Sequence, residues 1–379
     1  MSSTSPTPAS RAAPVTDTTP YRVMLVDDSA VIRGILARTL ENETDIAVAV
    51  TASNGEQAVR LLAQTPVDVI VLDIEMPVLD GIGALPRLLA IDPNVKIVMA
   101  STLTQRNAEI SLKALELGAA DYIPKPTATR EISAGDEFKR ELVARVRNLG
   151  IAYRRAASLP MWSGPAETVA VPKPAPKTVA LRPFRVQPIE ALAVGSSTGG
   201  PQALLRFFKG LQTFHKPVLV TQHMPPTFTA ILADNIARAS GRPCSEARDG
   251  ETVRPGHVYV APGNFHMTLM REPARVRIAL TQDPPENFCR PSVDPMLRSM
   301  VQVWGPSLLT VILTGMGQDG LKGCRAVVEA GGIVVAQDEA SSVVWGMPGA
   351  VAHDGICSAV KTVEELALFA ENIGRGRMP

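Results

Sequence analysis

Apolar and polar positions alternate along this chain in two stretches, separated by one that carries little apolar pattern. The first stretch opens with "YRVMLV" (21–26), a short apolar run with the length of a buried strand. "SAVIRGILARTLEN" (29–42) follows, with Val31, Ile32, Ile35, Leu36 and Leu40 at helical spacing. "IAVAVTA" (46–52) reads as a strand, and Asn54 opens a helix after it. "VDVIVLDI" (67–74) is apolar throughout, as a central parallel strand covered on both faces must be. The pattern then predicts helix 80–91, strand 95–100, helix 105–117, the short strand "DYIP" and helix 133–149. Five βα units imply a doubly wound α/β sheet with its ligand chemistry at the carboxyl ends of the strands.

Residues 153–188 hold seven prolines, from Pro160 to Pro188, among few apolar anchors. Proline fixes φ and removes a donor, so 150–187 reads as an extended, semi-stiff connector. Beyond it the alternation resumes less regularly. Strands are expected at 189–195, 217–222, 257–261, 266–271, 275–281, 308–314 and 333–337. Helices are expected at 200–209, 228–239, 292–303, 319–330 and 363–373. The pieces between 257 and 281 read as antiparallel hairpins inserted into a parallel α/β domain. The expected division is a polar, disordered tail (1–20), a first domain (21–149), the linker (150–187) and a second domain (188–375).

Composition narrows the class. The chain has 379 residues, 45% hydrophobic and 20% charged, enough for more than one sizeable core. Its formal net charge of +1 gives no reason to expect a nucleic-acid partner. No apolar run approaches the roughly 18 residues that cross a bilayer, so membrane insertion is not expected. The first twenty residues lack the apolar core of a secretory signal. Cys244, Cys289, Cys324 and Cys357 are scattered, as free thiols of a reducing cytoplasm would be.

Asp27 and Asp28 close the first strand, Asp73 the third. Ser101 and Thr102 follow the fourth strand and Lys125 the fifth. A doubly wound sheet gathers all of these at one edge. Carboxylates converging there repel each other unless a cation sits among them, and an all-oxygen set suits Mg²⁺. A carboxylate neutralised in this way can accept a phosphoryl group. Lys125 and a hydroxyl from Ser101 or Thr102 would contact the phosphoryl oxygens. "MLVDDS", "VIVLDIEMPVLDGI", "VMAST" and "GAADYIPKP" resemble the receiver domain of response regulators over residues 21–147. The resemblance implies a flavodoxin-like fold and phosphorylation of Asp73 by a histidine kinase. It also implies Mg²⁺ on Asp27, Asp28 and Asp73, Ser101 as switch hydroxyl, Lys125 on the phosphoryl group, and Tyr122 as switch aromatic.

In the second domain, "GSSTG" (195–199) follows an apolar strand and matches G-x-S-x-G, a turn that lifts a serine nucleophile between strand and helix. Pro201 suits the first turn of that helix. A phosphate-cradling loop shares these ingredients, but no G-K-[ST] and no acidic ribose partner follow. Among the five histidines, His223 ends the strand "KPVLVTQH" and is the candidate base for Ser197. Asp319, in a glycine-rich turn after another buried strand, is the candidate to orient it, or else a helix cap. The order Ser, His, Asp departs from that of α/β-hydrolases.

"AVGSSTGGPQAL", "TQHMPPTFT", "DGETVRPGHVYVAPGNFHM", "PSVDPML", "TGMGQDGLKG" and "WGMPGAV" resemble the catalytic domain of the chemotaxis protein-glutamate methylesterases, the CheB family, over 187–375. The resemblance implies Ser197 as nucleophile, His223 as general base and Asp319 as its orienting partner. It assigns Met316 to the oxyanion hole through its backbone N–H, with Thr198 and His266 as auxiliary residues. It also implies methanol release from methylated chemoreceptors without a cofactor for that reaction, deamidation of receptor glutamines, and a receiver that covers the cleft until Asp73 is phosphorylated. Ser196 stands where alanine is usual, Gln318 where asparagine is usual and Cys289 where histidine is frequent. An adaptor module and a hydrolase for other esters are the competing readings. The intact Ser197, His223 and Asp319 argue against the first.

Overall fold

The computed structural model describes residues 19–102, 104–125, 136–159 and 179–378. The tail up to residue 18 and the proline-rich segment 160–178 lie outside the described residues.

The first sheet has strands β1 (Tyr21–Val26), β2 (Ile46–Ala52), β3 (Val69–Asp73), β4 (Lys96–Ser101) and β5 (Asp121–Pro124) in the order β2-β1-β3-β4-β5. All pairings are parallel. Helices α1 (Ala30–Glu41), α2 (Gly55–Leu62), α3 (Gly81–Ile91), α4 (Gln105–Glu116) and α5 (Asp136–Ala156) flank it. Four of these helices start at side-chain caps: Ser29, Asn54, Asp80 and Thr104 each accept a hydrogen bond from a first-turn N–H. The central strand β3 is buried along its whole length, as its unbroken apolar run requires.

The expected domain boundary at 149 falls inside α5, which continues to Ala156. Tyr153 donates to Asp92 (3.0 Å), and the buried Arg154 pairs with Asp68 (2.9 Å). These contacts hold the last turns on the first domain, so the connector starts later than its composition indicated. Residues 179–187 lie along the second domain: the Arg182 N–H donates to Cys357 O (2.8 Å), and Gln187 Nε2 to Gly331 O (2.9 Å).

The second sheet contains β6 (Ala191–Ser196), β7 (Val218–Gln222), β8 (Cys244–Glu246), β9 (Val258–Val260), β12 (Leu308–Ile312), β13 (Ile333–Gln337) and β14 (Ala359–Lys361). Its order is β14-β13-β12-β6-β7-β9-β8, parallel throughout. The hairpin β10 (His266–Glu272) with β11 (Arg275–Thr281) stands apart and is antiparallel. This corrects the reading of 257–281 as hairpins, because β9 joins the main sheet beside β7. Helices α6 (Gly200–Gly210), α7 (Phe228–Ser240), α8 (Val293–Trp304), α9 (Leu321–Glu329), α10 (Met347–His353) and α11 (Val363–Gly374) cover the faces. On α6, Leu204, Phe207 and Phe208 are fully buried, each contributing about 1.5–3 kcal/mol. No helix among the described residues is long and apolar enough to cross a membrane.

Candidate active site and its receiver

Strand register brings the second-domain candidates to one sheet edge. Ser196 on β6 pairs with Gln222 on β7, so Ser197 and His223 leave adjacent strands at the same level. β12 lies on the other side of β6, and the loop after it returns Asp319 to His223. His223 Nε2 is 2.7 Å from Asp319 Oδ2. Asp319 is buried and gathers donors. Its Oδ1 accepts from Ser292 Oγ (2.7 Å), Asn287 Nδ2 (2.9 Å) and the Gly320 N–H (2.9 Å). Its Oδ2 accepts from the Val293 N–H (2.6 Å).

Burial works to raise the Asp319 carboxyl, but the hydrogen bond and charge of His223, with the Val293 and Ser292 donors, hold it well below the usual carboxylate range. For His223, burial works downward. Cys289 and Asp319, facing the ring from both sides, outweigh it and raise the imidazole to about 10.

Ser197 is placed tightly. Its N–H donates to Thr314 O (3.0 Å), and its carbonyl accepts from Gln222 Nε2 (2.9 Å). A Cβ on Gly315 would lie 3.0 Å from Ser197 Cβ, so only glycine lets the 315–319 loop pass the nucleophile turn. Ser197 Oγ makes no hydrogen bond to the His223 ring among the described residues. The ring's second nitrogen, Nδ1, instead lies 3.3 Å from Cys289 Sγ. The structure therefore brings His223 and Asp319 together, with Ser197 beside them but not joined to the base.

The backbone N–H groups of Thr198 and Met316 have no hydrogen-bond partner among the described residues. His266 is buried, with Nε2 3.2 Å from Pro284 O, and no hydrogen bond links it to the other three. Sequence reasoning missed Gln222. Its Nε2 ties Ser197 O to His223 O (3.0 Å), and its Oε1 accepts from Ser196 Oγ (2.7 Å). The serine at 196 thus orients the amide that locks the turn. The readable signal was a polar residue ending an apolar strand. Gln318 is exposed.

At the edge of the first sheet, single oxygens of Asp27, Asp28 and Asp73 lie within 4.8 Å of one another. Three oxygen donors so placed fit Mg²⁺. Lys125 Nζ is 2.6 Å from Asp27 and 2.7 Å from Asp73. The Ser101 hydroxyl accepts from Ser111 Oγ (3.0 Å), and the Thr102 hydroxyl from Asn107 Nδ2 (2.6 Å), both on α4. Burial raises the Asp73 carboxyl to about 6, against the lowering effect of Lys125.

A group raised above its unfolded value of 3.8 favours the folded chain below that pH. That stability is lost as pH climbs toward 6. The metal-free chain should therefore lose about 2 kcal/mol between pH 4 and 7, relative to Asp73→Asn. Denaturant unfolding of the receiver in both forms measures this, and parallel pH dependences would refute it.

The two domains meet over the nucleophile. Thr198 Oγ1 donates to Asp121 Oδ2 (2.7 Å) of β5, and Asp121 also pairs with the partly buried Arg145 of α5. Gln202 Nε2 donates to Ala119 O (2.8 Å) and Leu115 O (3.2 Å). Tyr122 stacks on Phe228, with centroids 4.5 Å apart and planes 10° apart. Met316, Val343 and Val344 pack into the first domain's apolar core. Beneath this cover Ser197 is only 8% exposed.

Known proteins resemble both domains of this chain in sequence. Residues 192–369 match the family model of CheB methylesterase, and residues 23–135 that of the response regulator receiver domain. A protein-glutamate methylesterase/protein-glutamine glutaminase of Azospirillum brasilense is 55% identical, over 96% of this chain and 95% of that protein. One from a group 2 operon of Rhodospirillum centenum is 53% identical, over 94% of this chain and 95% of its own length. The CheB methylesterase catalytic domain of Thermotoga maritima is 38% identical, with a TM-score of 0.48, covering 49% of this chain and 98% of that one. The chain therefore belongs to the CheB methylesterase family, in the form that carries a response regulator receiver domain ahead of the esterase.

Proposed function

We propose that this chain is a phosphorylation-activated serine hydrolase of chemotaxis signalling. It removes methyl groups from glutamate methyl esters of chemoreceptors, releasing methanol, and converts receptor glutamines to glutamates by the same route. The observation that carries this reading is the 2.7 Å bond from His223 to Asp319 beside the Ser197 turn. Relatives at about half identity bear the corresponding names.

With Nε2 held by Asp319, Nδ1 is the nitrogen that takes the Ser197 proton. Ser197 Oγ then attacks the ester carbonyl. The N–H groups of Thr198 and Met316 would hold the oxyanion, each such donor being worth about 10²–10³ in rate. His223 returns the proton to the leaving methanol, or to ammonia in the deamidation. Water, deprotonated by His223, hydrolyses the acyl-enzyme. His266 stays auxiliary in this scheme.

Control comes from the receiver. A histidine kinase is the phosphodonor, and Asp73 attacks the phosphoryl group. Mg²⁺, held by Asp27, Asp28 and Asp73, would neutralise charge on the transferring group. Lys125 and Ser101 or Thr102 would bind its oxygens. A hydroxyl drawn to the phosphoryl group leaves its partner on α4, the helix whose C-terminal end holds Gln202 of the esterase. Loss of that contact, of Tyr122 on Phe228 and of Asp121 on Thr198 would uncover Ser197. A cover of this kind needs only a few kcal/mol of bias for a large change in activity.

Methanol release from methylated receptors, with and without a small-molecule phosphodonor, tests the reading. The phosphodonor should stimulate the natural chain several-fold and leave Asp73→Asn at its basal rate. Equal stimulation of both would sink the switch, and absence of methanol would sink the esterase.

A further inference from the structure

The loop carrying Cys289 touches the base, its orienting carboxylate and the receiver. Asn287 and Phe288 both have left-handed backbone, φ 52° and 63°, which residues with a Cβ rarely adopt. The Cys289 N–H donates to Glu286 O (2.9 Å), and Arg298 holds the Glu286 carboxylate (3.0 Å). Asn287 Nδ2 donates to Asp319 and, at 3.1 Å, to Asp294. Phe288 is 79% exposed, and the Arg140 guanidinium of α5 lies over its ring, 5.2 Å from the centroid. Next along the chain, Cys289 Sγ meets His223 Nδ1 at 3.3 Å. This is the nitrogen that Ser197 needs.

We propose that Cys289 is a positioning residue that occupies His223 Nδ1 and keeps it from Ser197 while the receiver is docked, with Arg140 on Phe288 holding the thiol in place. The inference rests on the esterase reading only in taking His223 as the base. The groups facing the ring are the Asp319 carboxylate on one side and the Cys289 thiol on the other. Asp294 and Arg298 stand behind Asp319. The Asp319 carboxylate favours the protonated ring, as Cys289 does when it carries a charge, and a protonated ring cannot accept the serine proton. The docked receiver thus blocks the reaction twice, by covering Ser197 and by occupying its base.

The test uses the full chain with labelled histidine. It follows the His223 ring by NMR across pH, and methanol release from methylated receptor without phosphodonor. Cys289→Ala should lower the His223 midpoint by one pH unit or more. It should raise release at pH 7 about tenfold, the factor that one unit gives on a one-proton limb. Cys289→Ser keeps the volume but not the acidity, so it should shift the midpoint the same way. It decides the matter if the alanine variant fails to fold. Arg140→Ala should shift the midpoint in the natural chain and leave it unmoved when Cys289 is already alanine. An unmoved His223 midpoint in both Cys289 variants overturns the proposal. A further shift by Arg140→Ala on the alanine background overturns the link to the receiver. The NMR midpoint is independent of turnover, so a chain that releases no methanol condemns the esterase reading alone.

Discussion

Replacing Ser197 with alanine is expected to lower methanol release by a factor of about 10⁴ to 10⁶, the range for losing the nucleophile of a serine hydrolase. Ser197 stands at the end of β6, one step past the residue paired with Gln222, on a turn that Gly315 passes at van der Waals distance. The described residues offer no second hydroxyl on that turn aimed at the same base: Ser196 is committed to Gln222, and Thr198 to Asp121. The fold should be indifferent to the change, because the backbone bonds of residue 197, to Thr314 and Gln222, need no side chain. Unfolding should shift by no more than about 0.5 kcal/mol, and phosphorylation of Asp73 should proceed as before. Release within tenfold of the natural chain would remove Ser197 from the mechanism.

Asp319→Asn should be nearly as severe for a different reason. An asparagine can accept through one oxygen only, and its amide would face N–H groups that the carboxylate now accepts. Of the donors on Asp319, those from Val293, Asp294 and Gly320 are backbone and cannot turn away. One buried donor left unpaired costs about 1–3 kcal/mol. The larger effect is on His223. Without a carboxylate at Nε2 the ring can take the wrong tautomer, presenting a proton to the serine instead of a lone pair. In a serine protease that change alone costs about 10⁴ in rate. Methanol release and denaturant unfolding, measured together, separate the two effects. A variant that loses stability yet turns over within tenfold of the natural rate would show that Asp319 is a structural cap only.

The sheets were legible because buried parallel strands must be apolar on both faces, and β3, β6, β7, β12 and β13 are. The edge strands β8 and β14 were not. Each is three residues long, too short to show a period, and pairs on one side only. Helix α10 was hidden by the proline and glycine of "MPGAVAH", residues that usually break a helix and here occupy its first turns. Strand ends placed Ser197 and His223 together before any coordinates, because a parallel sheet aligns them. The partners of Asp319 could not be foreseen. Asn287 arrives from a loop, and Ser292 and Val293 from the start of α8, placed by packing rather than by any local signal. Nor could the thiol on His223, since a lone cysteine in a polar loop carries no signature of its neighbour.

The bond between Thr198 and Asp121 bears on heredity as much as on control. Asp121 precedes Tyr122, and both lie within a few positions of Lys125, which follows the same strand, so the acidic cluster and the inter-domain contact adjoin one another in the receiver. A substitution on that strand acts on both halves of the molecule at once. An unrelated receiver grafted at the connector would take up phosphate and yet leave the hydroxyl of Thr198 and the ring of Phe228 without their mates. Substitutions tolerated at this contact would then be those that both halves can accept.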